Sequence, residues 1–355
     1  MARTATDGRG AGFNPPNRFE QISIEKSPDD LAQYFEDPDT ERAILTKFYF
    51  DHTKSILAKN QSPDLGFTYS INPYRGCEHG CIYCYARPSH EYLGFSSGID
   101  FESKILVKKD APRLLKETFL SKSWIPQVIL SSGETDCYQP VERTLQITRE
   151  YLKVFLKFRN PVSIITKNAL VQRDIDVLRD LAALNLVNVT ISITSKDHVL
   201  ARRMEPRTSS PAKRFETVET LARNAIPVAV NIAPVIPGLN DVEIPAIIKE
   251  ASERGAQRVN YSMLRLPFAV KDLFLEWLRR ELPEKAGRIE NRIRSIRDGK
   301  LSSSEFGKRM SGEGKIAESI EQLFKSSCQR HGMNEISLNL RTDLFVTNVD
   351  QMKLF

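Results

Sequence analysis

Hydrophobic and polar positions follow a repeating pattern between residues 67 and 267. Short runs rich in β-branched and aromatic residues predict strands, and each run is followed by a stretch long enough for a helix. In residues 141–157, for example, Leu145, Leu152 and Phe155 share one face of a helix. The six predicted strands are residues 67–72, 127–131, 162–166, 189–194, 228–235 and 258–264. Strands that alternate with helices predict an α/β protein whose parallel sheet is built from six βα units and can curl into an open barrel.

The pattern is different before this region. Residues 1–20 are rich in Gly, Ala, Arg and Pro and have almost nothing to bury, which predicts a disordered lead. Residues 21–66 predict an N-terminal extension whose aromatic side chains pack against the core rather than stack on nucleic-acid bases. These aromatic residues are Tyr34, Phe35, Phe48, Tyr49 and Phe50.

The pattern changes again after the barrel region, residues 67–267. Residues 268–355 predict a mainly helical C-terminal region, with amphipathic stretches at 271–282, 288–297 and 316–328. A loop rich in Gly, Ser and Lys lies between the last two stretches. In the middle stretch three isoleucines face inward, and the arginines on its flanks are candidate phosphate contacts or simply solvated charges. These arginines are Arg288, Arg292, Arg294 and Arg297.

Composition sets broad limits on function. The chain has 355 residues and a net charge of +6, which permits a polyanionic partner without requiring one. Its five cysteines are too few and too clustered for a secreted disulfide framework. Neither a signal peptide nor a stretch of membrane-spanning length is visible. We therefore expect a soluble cytoplasmic protein with no membrane partner.

Three of the cysteines, Cys77, Cys81 and Cys84, form a C-x3-C-x2-C motif directly after the first predicted strand. Thiolates are soft ligands that suit zinc and iron–sulfur clusters. A structural zinc site needs four protein ligands, so His79 or His90 would have to complete it. A [4Fe–4S] cluster normally takes four cysteines. Three cysteines therefore leave one iron free to bind something else.

The motif, with Tyr83 before its last cysteine, resembles the signature of radical S-adenosylmethionine (SAM) enzymes. Two segments around the motif resemble the branch related to spore photoproduct lyase, also called DNA repair photolyase-like. They are Ser-Ile-Asn-Pro-Tyr-Arg-Gly-Cys and Cys-Tyr-Ala-Arg-Pro. The resemblance implies a partial (β/α)6 TIM-type barrel, a [4Fe–4S] cluster and SAM. It also implies reductive cleavage of SAM to a 5′-deoxyadenosyl radical that abstracts hydrogen from a substrate.

The same resemblance implies a set of SAM-binding residues. Tyr83 corresponds to the aromatic residue near the adenine, and the segment after the second strand corresponds to the motif that binds the amino group. Hydroxyl groups at the end of the fourth strand correspond to ribose contacts. Arg207 could pair with the SAM carboxylate or simply form a surface ion pair. The predicted cofactor-binding residues are Tyr83, Gly133, Glu134, Thr135, Lys167, Ser192, Thr194, Arg207 and Ile236.

Cys137 is a further candidate. Spore photoproduct lyase uses a cysteine near this segment as a hydrogen-atom donor, assisted by tyrosines beside the third cluster cysteine. Tyr83 and Tyr85 occupy those places here. Cys137 follows Asp136, however, whereas the cysteine of the family precedes the equivalent acid. The alternative for Cys137 is a small buried side chain.

We thus expect a radical SAM enzyme that acts on a nucleic-acid lesion or base and takes electrons from a donor such as flavodoxin or ferredoxin. One alternative is radical modification of a protein or a small molecule. The non-enzyme alternative is a zinc-stabilised nucleic-acid-binding module.

Overall fold

The structure is a computed structural model that describes residues 8–19 and 44–347. Tyr34, Phe35 and the C-terminal residues 348–355 lie outside these ranges. The domain boundaries given by the sequence stay predictions.

The described residues contain ten strands in two sheets. The strands are β1 (Lys47–Phe50), β2 (Leu57–Lys59), β3 (Tyr69–Ile71), β4 (Tyr74–Arg75), β5 (Lys104–Val107), β6 (Ile129–Ser131), β7 (Val162–Thr166), β8 (Val187–Ser192), β9 (Val228–Val235) and β10 (Arg258–Met263). The larger sheet has the order β10-β9-β8-β7-β6-β3-β2, and the smaller sheet has the order β1-β5-β4.

The six strands from β3 to β10 in the larger sheet are parallel neighbours that follow one another in chain order. They correspond to the six strands predicted from the sequence, and β7 and β9 have the predicted bounds. β2 is added antiparallel to β3 at the edge. The α/β class and the partial barrel are therefore confirmed.

Helices follow most of these strands. The α-helices of the described residues are α1 (Ile99–Ser103), α2 (Ala111–Leu120), α3 (Glu142–Leu145), α4 (Ile147–Phe158), α5 (Ile175–Ala183), α6 (His198–Met204), α7 (Pro211–Arg223), α8 (Ile244–Glu253), α9 (Val270–Glu281), α10 (Pro283–Ser295) and α11 (Gly314–Arg330). Short 3-10 helices span Arg87–Leu93, Ala169–Asp174 and Asp241–Glu243. The single helix predicted at 141–157 is divided into α3 and α4, because Gln146 adopts a left-handed conformation with φ of 53°. Within the described ranges, no helix is both long and apolar enough to cross a membrane.

Residues 8–13, which we call the N-terminal strap, lie within the predicted disordered lead but pack against the barrel. The backbone N–H groups of Gly10 and Ala11 donate to the Glu102 carboxylate at 2.9 and 2.8 Å. The Arg9 guanidinium donates to the Glu102 carbonyl at 2.7 Å. A Cβ at Gly10 would lie 1.8 Å from the Gly80 carbonyl oxygen, so only glycine fits there. Backbone groups and one guanidinium fix this segment, and a count of apolar residues overlooks them.

Two further expectations about exposure are wrong. Phe48, Tyr49 and Phe50 are 48%, 40% and 64% exposed rather than packed in the core, because β1 is an edge strand of the smaller sheet. Arg297 was expected on an exposed flank but is buried, and it donates to three carbonyl oxygens. Because α10 ends at Ser295, Arg297 no longer follows the helical repeat.

Candidate active site

The loop that carries the three cysteines, residues 76–84, follows β4 and is named here the cluster loop. It is fixed by backbone hydrogen bonds to distant segments. The N–H of Cys77 donates to Phe101 O at 2.9 Å, and the N–H of Ile82 donates to Met204 O at 3.0 Å. Residues 99–103 form α1 and Met204 ends α6, so two helices support the loop.

A buried ion pair holds the cluster loop from behind. Arg87 and Glu102 are both fully buried, and their side chains meet at 2.5 Å. The Arg87 guanidinium also donates to Cys81 O at 3.0 Å and to Gly80 O at 3.2 Å. Glu102 in turn accepts the strap N–H groups described above. The carbonyl groups of Gly80 and Cys81 are thus hydrogen-bonded on the side of the loop that faces Arg87.

On its other side the cluster loop faces a cavity of about 470 Å³. All three cysteines line this cavity, together with residues from the C-terminal ends of the parallel strands. These other lining residues include Tyr83, Tyr85, Ser132, Gly133, Glu134, Thr135, Asp136, Lys167, Ser192, Ala233 and Pro234. Ligand sites of α/β barrels lie at this end of the strands. The fold therefore brings most of the predicted site residues together around one cavity.

As thiolates, the three cysteines would repel one another unless cations lie among them. Burial raises the pKa of Cys77 well above its usual value, and the nearby charges of Asp136, Cys81 and Cys84 raise it further. Burial likewise raises the pKa of Cys81. Iron ions would offset this repulsion, so the donor set suits an iron–sulfur cluster.

A zinc site fits less well. His90 is not among the described residues that line the cavity, and its Nε2 lies 2.9 Å from Lys104 O, which occupies that nitrogen. His79 lines the cavity, but its Nδ1 lies 3.4 Å from Asp136 and its Nε2 lies 3.2 Å from the Asn168 amide. Across the described ranges, no three His, Cys, Asp or Glu side chains are grouped closely enough to hold a single metal ion. A [4Fe–4S] cluster takes each thiolate on a different iron, so its ligands stand further apart.

The turn after β6 is fixed on two sides. The Asn72 side-chain oxygen accepts the N–H groups of Glu134 and Thr135 at 2.8 and 3.4 Å. The Tyr85 hydroxyl donates to Gly133 O at 2.6 Å, which connects this turn to the cluster loop. The sequence motif indicated the turn itself. Asn72 stands in the segment Ser-Ile-Asn-Pro-Tyr-Arg-Gly-Cys, but that segment did not indicate that its side chain holds the turn after β6.

A buried polar group supports Tyr83. Its hydroxyl donates to Glu205, which also accepts from Thr194 at 2.6 Å and pairs with Arg214. Although burial opposes ionisation of Glu205, the charges of Arg214 and Lys167 lower its pKa. The Lys167 ammonium lies 5.8 Å from the centre of the Tyr83 ring. Sequence reasoning missed Glu205, because an acid in a Glu-Pro-Arg-Thr segment is typical of a surface turn.

Asp136 orders the end of β7. It accepts from the Thr166 hydroxyl at 2.7 Å and from the Lys167 N–H at 2.8 Å. Burial opposes its ionisation, but His79 and these hydrogen bonds lower the pKa of Asp136 to about 2. Asp136 therefore remains a carboxylate that fixes Lys167 at the cavity.

Four predicted site residues are not among the described residues that line the cavity. Thr194 is directed to Glu205, and Ile236 is fully buried in the core. The Arg207 side chain donates to Gly8 O and to Thr46 Oγ1, which ties down the N-terminal strap. Cys137 is fully buried, and burial raises its pKa to about 12. These four residues lie behind the residues that line the cavity.

Comparison with known proteins identifies the superfamily. The model of the radical SAM superfamily matches residues 71–251, which contain the cluster loop and strands β4 to β9. The chain belongs to the radical SAM superfamily. It is accordingly an enzyme that uses a [4Fe–4S] cluster and SAM, which excludes the zinc-stabilised module as its function.

Curated relatives of the chain are named as uncharacterised proteins. One from Mycobacterium tuberculosis (strain ATCC 25618 / H37Rv) is 31% identical over 242 residues, which cover 67% of this chain and 71% of the relative. Another from Methanocaldococcus jannaschii is 34% identical over 178 residues, or 50% of this chain and 64% of the relative.

Among solved structures, spore photoproduct lyase complexed with dinucleoside spore photoproduct has a TM-score of 0.56 and 14% identity. The match covers 80% of this chain and 79% of the lyase. A variant of the lyase with bound AdoMet and the same dinucleoside gives a TM-score of 0.56 at 15% identity, over 80% of this chain and 78% of that variant. At this identity the likeness shows the shared fold alone.

Proposed function

We propose that Cys77, Cys81 and Cys84 hold three irons of the cluster and leave the fourth iron facing the cavity. The observation that carries this proposal is that all three thiols line a cavity that the C-terminal ends of the barrel strands also line. The Arg87–Glu102 pair and the backbone bonds to α1 and α6 keep the cluster loop in place. The loop can therefore accept the cluster without rearrangement, as a preorganised site should.

We propose that SAM binds beside the fourth iron, against the turn Gly133, Glu134 and Thr135. Asn72 occupies the N–H groups of Glu134 and Thr135, and Tyr85 donates to the Gly133 carbonyl. The Glu134 carboxylate is therefore the group of the turn that is proposed to bind the amine. The Lys167 ammonium has no carboxylate partner within ion-pair distance among the described residues, and it lines the cavity. A carboxylate of SAM would satisfy it. Ser192 and the ring of Tyr83 complete the proposed wall.

When bound and reduced, the cluster supplies one electron for cleavage of SAM. The protein residues then have to hold SAM in one orientation and keep water out of the cavity. The electron donor in this proposal is an external protein such as flavodoxin or ferredoxin. A reducing cytoplasm would suit both the cluster and the free thiols.

Reduced, cluster-loaded protein is expected to convert SAM into 5′-deoxyadenosine, slowly even without substrate. Lys167→Ala should raise the concentration of SAM needed by about tenfold or more, because it removes a charged hydrogen bond. Chromatography of the nucleoside product measures both effects. Lys249→Ala, an exposed lysine on α8, is the control and should behave as wild type. If loaded protein binds SAM and never forms 5′-deoxyadenosine, the proposed reaction is wrong.

We also propose nucleic acid as the substrate class, with a lesion or base as the reacting group. One support is that the lyase of the same fold was solved with a dinucleoside photoproduct. A second support is the surface of Lys47, Tyr49, Phe95 and Lys104, named here the β1 surface. Lys47 and Lys104 are register partners, the rings of Tyr49 and Phe95 lie 6.0 Å apart, and Lys104 lies 4.7 Å from the Phe95 ring. Tyr49 is exposed, Phe95 is partly buried, and Lys104 also pairs with Asp100 at 2.9 Å. Interleaved lysines and aromatic rings suit single-stranded nucleic acid.

Binding of a single-stranded oligonucleotide should fall steeply with salt and depend on the β1 surface. We expect Tyr49→Ala with Lys47→Ala to weaken binding by about tenfold or more, because one stacking and one phosphate contact are lost. Fluorescence anisotropy at several salt concentrations measures both the affinity and the slope. Phe268→Ala, an exposed ring elsewhere, is the control. Arg288→Glu with Arg292→Glu tests the α10 flank in the same assay, and salt-insensitive binding by wild type would remove nucleic acid from the proposal.

A further inference from the structure

The cavity has a second wall that the predicted SAM residues do not occupy. Its residues come from the hairpin after β2, from the end of β10 and from the loop before α11. They are Leu65, Phe67, Met263, Arg265 and Met310. β2 and β10 are the two outer strands of the larger sheet, so this wall closes the open side of the barrel. An ion pair between Asp64 and Arg309 joins its two halves.

Arg265 is the charged group of this wall. Its guanidinium lies 5.6 Å from the centre of the Tyr85 ring and 3.7 Å from the sulfur of Met310. Within the described ranges, Arg265 forms no ion pair with a carboxylate, whereas Arg309 pairs with Asp64. A half-buried guanidinium that rests on an aromatic ring retains donors that point away from the ring.

The surroundings of Arg265 carry excess positive charge. Burial lowers the pKa of Arg265, and the charge of Arg309 lowers it further. Burial and the charge of Arg265 likewise lower the pKa of Arg297, to about 10. The Arg297 Nε is buried without a hydrogen-bond partner. The nearby carboxylates are Asp64 and Glu313, and they already pair with Arg309 and Lys308. An incoming anion would therefore stabilise the three guanidiniums.

We propose that Arg265 binds an oxyanion of the substrate, either a phosphate or a carboxylate, at the outer end of the cavity. Leu65, Phe67 and Met263 would contact the uncharged body of the substrate and direct its reacting carbon toward SAM. The proposal rests on the proposed function, because only then does the cavity hold SAM. Lys167, directly after β7, is the proposed cation for SAM itself, and Arg265 lies three strands away, just beyond the end of β10.

The test uses the reduced, SAM-loaded holoenzyme and inorganic phosphate as the probe. The unpaired electron of the reduced cluster should speed the 31P relaxation of phosphate bound near Tyr85. We expect Arg265→Gln to reduce this enhancement by about tenfold or more, because a charge-assisted contact is lost. Arg265→Lys should retain part of the effect, and Arg223→Gln, an exposed arginine on α7, should retain all of it. A parallel measurement with 13C-labelled acetate shows whether phosphate or carboxylate is preferred.

Wild-type relaxation in the glutamine variant would overturn the proposal. So would a wild-type effect that is seen only in protein without SAM, or tenfold weaker SAM binding in Arg265→Gln, because Arg265 would then be a SAM contact. If wild type makes 5′-deoxyadenosine without relaxing phosphate, the oxyanion site is wrong and the proposed function stands. If the protein forms no cluster, calorimetric titration of wild type and both Arg265 variants with pyrophosphate decides the oxyanion site independently.

Discussion

Replacing Cys77, Cys81 or Cys84 with Ala is expected to remove the cluster and reduce 5′-deoxyadenosine formation to the level of apo-protein. Each thiolate would hold one iron, and two thiolates cannot retain a cluster whose fourth iron is already free of protein ligands. Iron and sulfide analysis with electron paramagnetic resonance of the reduced protein measures the cluster. Product analysis on the same samples measures the reaction.

Cys328→Ala is the matched control for these variants. Cys328 is a buried cysteine on α11 and does not line the cavity among the described residues. Its loss should leave iron content and SAM cleavage unchanged, apart from a modest loss of stability from packing. Full cluster content in Cys81→Ala would show that the ligand assignment is wrong.

Glu102→Ala is expected to lower the free energy of unfolding of the apo-protein by about 3–5 kcal/mol, because it leaves Arg87 as an unpaired buried charge. The same change removes the acceptor for the strap N–H groups of Gly10 and Ala11. Chemical denaturation followed by circular dichroism measures the free energy. Trypsin cleavage after Arg9 provides a second reading, since release of the strap should expose this bond.

The control is Glu117→Ala, which breaks an exposed ion pair with Arg113 on α2. Its unfolding free energy should stay near that of wild type, because exposed pairs contribute little. A Glu102→Ala protein with wild-type stability and an equally resistant Arg9 bond would contradict the role given to the buried pair.

The sequence predicted the barrel strands well because they are buried runs of β-branched residues bounded by polar turns. β7 and β9 have the predicted bounds, and the other barrel strands differ by two residues or fewer at each end. Their chain order also limits the sheet to one simple arrangement. Edge strands carry a weaker signal, and the exposed aromatic residues of β1 were accordingly misplaced in the core.

The candidate site could be predicted where its functional residues lie close together in the sequence. The three cysteines and the turn at Gly133 are short motifs, and the structure places them on one cavity. Glu205 could not be found in this way, because the residue it supports, Tyr83, is distant in sequence. Asn72 and Arg87 lie in the segments that carry the resemblance, but those segments do not reveal their partners Glu134 and Glu102. The same limit explains Arg207, whose partners Gly8 and Thr46 only the fold brings near.

The N-terminal strap has a consequence for the order of events during synthesis. Gly10 and Ala11 leave the ribosome early, yet their acceptor, Glu102, is translated about ninety residues later. Closing so long a loop is entropically costly until the barrel around it has begun to fold. The cysteines are also translated before Glu102. In the nascent chain, the cluster loop therefore carries its thiols before Glu102 is available to pair with Arg87 behind it. During this interval the loop can still open, and a cluster could be inserted.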